Sequence, residues 1–183
     1  MASLGKEYLD TVIRRVKYYK HLAEQAFDQL EEKDFHFQPS SESNSIAVII
    51  QHVAGNMLSR WTNFLTEDGE KEWRHRDNEF NIHEYTKKQL IELWEQGWNC
   101  FINSLENLHE DDLLKTIYIR QEALTAIDAI NRQLAHYPHH IGQILYVGKI
   151  IRNENWKSLS IPKGQSEVYN KTEPVKDPAK KYS

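Results

Sequence analysis

At 183 residues, the chain is close to the size at which one domain encloses one substantial apolar core, so a single domain with short termini is expected. Hydrophobic residues make up 39% and charged ones 27%, which argues against disorder for the bulk of the chain. The formal charge of −4 comes from interspersed charges, which removes the main electrostatic reason to expect nucleic-acid binding. No apolar run reaches the ~18 to 20 residues of a membrane span and no signal core opens the sequence, so a cytoplasmic protein without membrane contact is expected. Cys100 is the single cysteine, so any metal must be held by His, Asp or Glu.

From Gly5 to Glu32 the residues Tyr8, Val12, Val16, Tyr19, Ala23, Ala26 and Leu30 recur at helical steps and predict a first helix with one buried stripe. Lys33 to Ser43, with Pro39 and several short polar side chains, reads as a loop. Asn44 or Ser45 caps a second helix, expected to run to about Thr66, with Ile46, Ile49, Val53, Met57, Trp61 and Phe64 on one face. Residues 67–83 have no sustained period and read as a connection of about fifteen residues, longer than usual between helices. Thr86 and Gln89 match a capping box for a third helix to about Leu108, burying Leu90, Leu93, Trp94, Trp98 and Phe101. A short stretch, Asp111 to Tyr118, leads to a fourth helix from about Glu122 to Arg152. No strand hairpin is expected. The fold class is therefore all-α, a four-helix bundle occupying residues 1–170. Ser158 to Ser166 reads as an extended segment against the bundle, and residues 171–183 as a flexible C-terminal tail.

Three of the nine histidines, His136, His139 and His140, fall close together on the fourth helix. At about 100° per residue, His136 and His140 differ by about 40° around the axis and can reach one ion from one face, whereas His139 is offset by about 60° to the other side. His52 occupies a comparable border position on the second helix and offers a third imidazole. Three neutral imidazoles suit Zn²⁺, Ni²⁺ or Fe²⁺ and leave coordination positions open for water or substrate. Asn56, Gln133 and Gln143 are candidates to hydrogen-bond the ligands. Taken alone, an i,i+4 histidine pair is more often solvated than metal-bound. Pro138, inside the fourth helix, removes a backbone donor and predicts a kink between the two histidines. The other five histidines fall in charged or loop-like surroundings and read as solvated.

The segments Asn44-Ser-Ile-Ala-Val-Ile-Ile-Gln-His52-Val-Ala-Gly55 and His136-Tyr-Pro-His-His140-Ile-Gly-Gln143-Ile, with the closing Trp156-Lys-Ser-Leu-Ser-Ile-Pro-Lys-Gly-Gln-Ser166, resemble the DinB-like family, and more closely a branch of unassigned function within it. The resemblance implies an up-and-down bundle with a long crossover between helices two and three, commonly a homodimer, with a metal at the base of a cleft. It matches His52, His136 and His140 to the family's three ligands and His139 to none. Understood members include transferases that use low-molecular-weight thiols such as bacillithiol or mycothiol. Two expectations follow. The first is a metal-dependent enzyme acting on small electrophiles, a thiol transferase or alternatively a hydrolase. The second is a non-catalytic dimeric binding or stress-response protein. Cys100 lies between apolar neighbours with nothing basic beside it, which makes it a poor nucleophile, so a thiol would come from outside. No carboxylate is evident as a general base, which weakens the hydrolase.

Overall fold

The computed structural model describes residues 3–182. The first helix, α1 (Leu4–Phe27), opens where the Ser3 hydroxyl accepts the Lys6 N–H at 3.2 Å. It stops before the expected Glu32 because Phe35 is drawn into the core against Phe27, ring centroids 5.4 Å apart, on the one-turn helix α2 (Glu32–Phe35). The carbonyls of Phe27 and Leu30 accept the Lys87 ammonium at 2.8 and 2.7 Å, a cationic finish that suits a helix C-terminus.

Helix α3 (Ile46–Trp61) is capped by Ser45, whose hydroxyl accepts the Val48 N–H at 3.3 Å, and is buried on nearly all faces. It ends short of the expected Thr66. Asn63 takes a positive φ of 52°, yet Phe64 still folds inward, so the apolar period outlasts the backbone helix. A 3-10 turn, Arg76–Phe80, packs on α3 within the long connection. Helix α4 (Lys87–Glu106) begins in the predicted capping box: the Thr86 hydroxyl accepts the Gln89 N–H at 3.3 Å, and the Thr86 N–H reaches Gln89 Oε1 at 2.9 Å. A Cβ on Gly97 would lie 2.8 Å from the Ala54 Cα, so α3 and α4 touch backbone to backbone here.

The expectation of no hairpin is corrected by an antiparallel pair, β1 (Thr116–Ile119) and β2 (Glu122–Thr125), with Ile117 opposite Leu124 and Tyr118 opposite Ala123. Its two turn residues, Arg120 and Gln121, have φ of 55° and 64°, a conformation usually left to Gly or Asn. Asp68 supports them: its carboxylate accepts the N–H groups of Arg120, Gln121 and Glu70 at 2.8, 2.7 and 2.7 Å. Because Glu122–Thr125 are committed to β2, helix α5 (Ala126–Arg152) starts later than predicted, at a Thr125 cap, and then runs unbroken through Pro138.

The chain is thus mostly helical. Helix α1 packs on α4 and α5, and α3 packs on the same two, enclosing Trp61, Trp94, Trp98, Phe101 and Tyr137. After α5 come α6 (Ser166–Thr172) and a 3-10 turn at Pro178–Tyr182. Residues read as a tail lie along α1: Arg15 forks onto Asp177 with two contacts of 2.7 Å, and Ala179 is buried. Among the described residues, no helix is long and apolar enough to cross a membrane.

Candidate metal centre

His52 projects from the middle of α3, while His136 and His140 project from α5 one turn apart. Their Nε2 atoms converge: His136 Nε2 lies 3.4 Å from His52 Nε2 and 3.1 Å from His140 Nε2. One ligand atom from each of the three residues falls within 4.8 Å of the others. His52 is buried, and the other two, on α5, are half-buried.

The far side of each ring has an acceptor. Nδ1 of His140 faces Gln143 Oε1 at 2.8 Å, and Nδ1 of His136 faces Gln133 Oε1 at 3.2 Å. The i,i±3 spacing on α5 makes both contacts local. Nδ1 of His52 faces the Glu79 carboxylate at 2.9 Å. An acceptor at each Nδ1 favours a proton there and turns the three Nε2 atoms toward one point. Two neutral imidazoles in this tautomer cannot hydrogen-bond each other through Nε2, so the 3.1 Å contact between His136 and His140 is repulsive without a cation between them. The spacing suits a first-row metal: nitrogens about 2.0 to 2.1 Å from a tetrahedral ion are separated by about 3.3 Å, and by about 2.9 Å on one octahedral face.

Electrostatics keep the ligands in their binding form. Burial, with the charges of His140 and His52 adding to it, pushes His136 down to about 3. Burial likewise carries His140 down to about 4, against the opposing hydrogen bond to Gln143. Both rings are therefore neutral at pH 7, as coordination requires. Burial alone would raise the Glu79 carboxyl, but its hydrogen bonds from His52 and Arg74 outweigh that and hold it below the ordinary range. It is an anion at neutral pH.

Of the six residues singled out by sequence, five meet here. Asn56 does not: its Oδ1 accepts the Tyr137 hydroxyl at 3.0 Å, in a buried relay that continues to the Trp61 indole. His139 sits outside the cluster and faces the Gln143 amide nitrogen at 3.2 Å. Cys100 contacts Thr62 at 3.6 Å and is not part of the centre. Sequence reasoning missed Glu79 and Arg74, which pair through two contacts of 2.7 and 2.9 Å, and Phe80, whose ring centroid lies 4.9 Å from that of His52. The only signal in their favour is the unusual length of the connection that carries them.

The chain belongs to a family described as protein of unknown function (DUF1572), which matches residues 3–165. All three histidines, Arg74 and Glu79 fall inside the matched region, and α6 falls outside it. No curated protein matches the chain.

Proposed function

We propose that His52, His136 and His140 hold one divalent transition metal, Zn²⁺, Ni²⁺ or Fe²⁺, and that the protein is an enzyme joining a low-molecular-weight thiol such as bacillithiol to small electrophiles. The observation that carries this reading is the convergence of three Nε2 atoms on rings that each have an acceptor at Nδ1. An ion there would lower the pKa of a thiol in its open coordination position and supply a thiolate near neutral pH. The chain's own part is to hold three converging rings, with His136 and His140 kept neutral and only half-buried, and to offer no competing thiol, since Cys100 lies elsewhere. In the transfer, the thiol gives up its proton to water, its sulfur bonds to the electrophilic atom, and the leaving group departs with its electron pair. Hydrolysis is the weaker alternative because Glu79, the carboxylate at the centre, is already committed to His52 and Arg74.

The same reading takes the four long helices as an up-and-down bundle of the DinB-like kind, with residues 62–86 as the crossover, in a cytoplasmic homodimer. The exposed Tyr146 and Ile150 on α5 support pairing. Sedimentation at micromolar concentration should give twice the 21.7 kDa chain mass.

Elemental analysis should find about one metal per wild-type chain, as three convergent imidazoles require, and none after His52→Ala, His136→Ala or His140→Ala. His139→Ala should retain it. Equal metal in all the variants would remove the centre. The loaded protein should then consume a chromogenic electrophile only when bacillithiol is present. A rate unaffected by thiol would return the hydrolase, and no rate at all would leave a non-catalytic binding protein.

A further inference from the structure

The three ligands are not supported alike. His136 and His140 rest on neutral amides from their own helix, whereas His52 rests on a carboxylate brought by the crossover from outside the long helices. That carboxylate is nearly enclosed, and so is its partner: the Arg74 side chain is 2% exposed and that of Glu79 is 10% exposed. A buried guanidinium must be paired, and Arg74 meets both Glu79 oxygens, Nε to Oε1 at 2.7 Å and Nη2 to Oε2 at 2.9 Å. Oε2 is therefore shared, meeting Arg74 Nη2 and His52 Nδ1 each at 2.9 Å, and the guanidinium fixes the orientation in which it meets the ring.

Gly55 makes the approach feasible. It follows His52 by three residues on α3 and so lies on the same side of the helix. A Cβ at this position would overlap Glu79 Oε1 and lie 2.9 Å from its Cδ. The helix therefore carries a glycine, at a cost to its own stability, at the point where the crossover carboxylate lies flat against it. The Phe80 ring lies against the His52 ring, centroids 4.9 Å apart, and Arg76 lies over the Phe80 ring, 4.8 Å from its centroid.

We infer that Gly55, Glu79 and Arg74 form a positioning device that fixes His52 as its Nδ1–H tautomer with Nε2 facing the other two imidazoles, so that the crossover sets the metal affinity of the centre. The effect on affinity rests on the metal reading above; the tautomer does not.

The tautomer is read first, on metal-free, full-length protein at pH 7.5, from the two ring ¹⁵N shifts of His52. Wild type should give the Nδ1–H pattern, and Glu79→Ala a mixture of the two neutral forms. Affinity for Zn²⁺ is then measured by chelator competition. Glu79→Ala should weaken it by about 10- to 100-fold, the range for lost partners of metal-bound histidines, and Gly55→Ala should weaken it by pushing the carboxylate away. Adding Gly55→Ala to Glu79→Ala should cost no further affinity, because the space is then vacant, and should raise the melting temperature through helix propensity. Glu79→Gln, which keeps the shape and an acceptor, guards against a Glu79→Ala chain that fails to fold; it should keep the Nδ1–H pattern with weaker Zn²⁺ binding. An Nε2–H pattern in wild type, an unchanged pattern in Glu79→Ala, or additive losses for Gly55→Ala and Glu79→Ala would each overturn the inference. A wild-type chain that takes up no Zn²⁺ but shows the Nδ1–H pattern would refute the metal reading and leave the positioning of His52 intact.

Discussion

Replacing Tyr137 by Phe separates the stability of the core from the chemistry of the centre. Tyr137 is 1% exposed, and burial pushes its phenol far up, so the hydroxyl stays a donor at any working pH. It donates to Asn56 Oδ1 and accepts from Trp61 Nε1, both at 3.0 Å. Phe keeps the edge-on contact with Phe101 at 5.1 Å and the Trp98 contact at 6.0 Å, so packing is conserved and no cavity larger than one oxygen opens. What is lost is the hydroxyl common to both bonds of the relay, which leaves Asn56 Oδ1 and Trp61 Nε1 unpaired. A buried group left unpaired costs about 1 to 3 kcal/mol; Trp61, 1% exposed, takes a full share, and Asn56, 7% exposed, a share near the lower end, for a total of about 2 to 4 kcal/mol. Urea unfolding followed by tryptophan fluorescence should show a midpoint lowered by about 1 to 2 M at an m-value near 2 kcal/mol/M and unchanged by the substitution. Metal content should match wild type, because the Asn56 oxygen points at Tyr137. A midpoint shift under about 0.5 M, too small for two lost buried bonds at that m-value, or a loss of metal would refute the reasoning.

Acid should weaken the metal-free fold in a defined window. His136 and His140 sit at about 3 and about 4 when folded and near 6.5 when unfolded, so the unfolded chain binds protons first. The stability they contribute is complete above pH 6.5 and is lost as pH falls toward those folded values; denaturation midpoints at pH 7 and pH 5 should differ less in His136→Ala than in wild type. Gly97→Ala sets a methyl 2.8 Å from the Ala54 Cα and should destabilise by about 1 to 3 kcal/mol, more than the helix propensity it gains. Gly142→Ala meets nothing within 4 Å and should stabilise by about 0.5 to 1 kcal/mol, readable as a rise in melting temperature. Arg15→Ala breaks a pair whose side chains are 44% and 28% exposed, so global stability should change by less than about 1 kcal/mol, while trypsin should cut faster at Lys176, Lys180 and Lys181.

The long helices were legible because each buries a stripe at helical period, and the capping box at Thr86 and Gln89 was read to the residue. The convergence of His52 with His136 and His140 was also legible, since i,i+4 spacing fixes two of the rings and the flanking apolar stripes aim all three. What escaped was decided by contacts far apart in sequence. Periodicity carried the helix containing His52 on to about Thr66, although it ends at Trp61 and Asn63 takes a positive φ. The hairpin was invisible because its turn is Arg-Gln, with no glycine or asparagine to announce it, and its positive φ values depend on a carboxylate brought from Asp68. Glu79 and Arg74 sit in a charged stretch without period, where nothing local distinguishes them from solvated neighbours. Asn56 was given the wrong partner because helical projection places it beside His52 without showing which way its amide turns.

The Asp68 clamp has a consequence for the order in which the chain folds. A hairpin is ordinarily a local event completed within about 1 to 10 μs, closed by its own turn. Here the turn between β1 and β2 is held by an acceptor brought from Asp68, and Gly69 adds an N–H to the Tyr118 carbonyl at 2.8 Å. The hairpin therefore cannot become persistent until the start of the long connection after α3 has docked, and the short element nearest α5 behaves kinetically as a long-range one. In pulse-labelled hydrogen exchange the amides of Gly69, Arg120 and Gln121 should gain protection together, in a single late step.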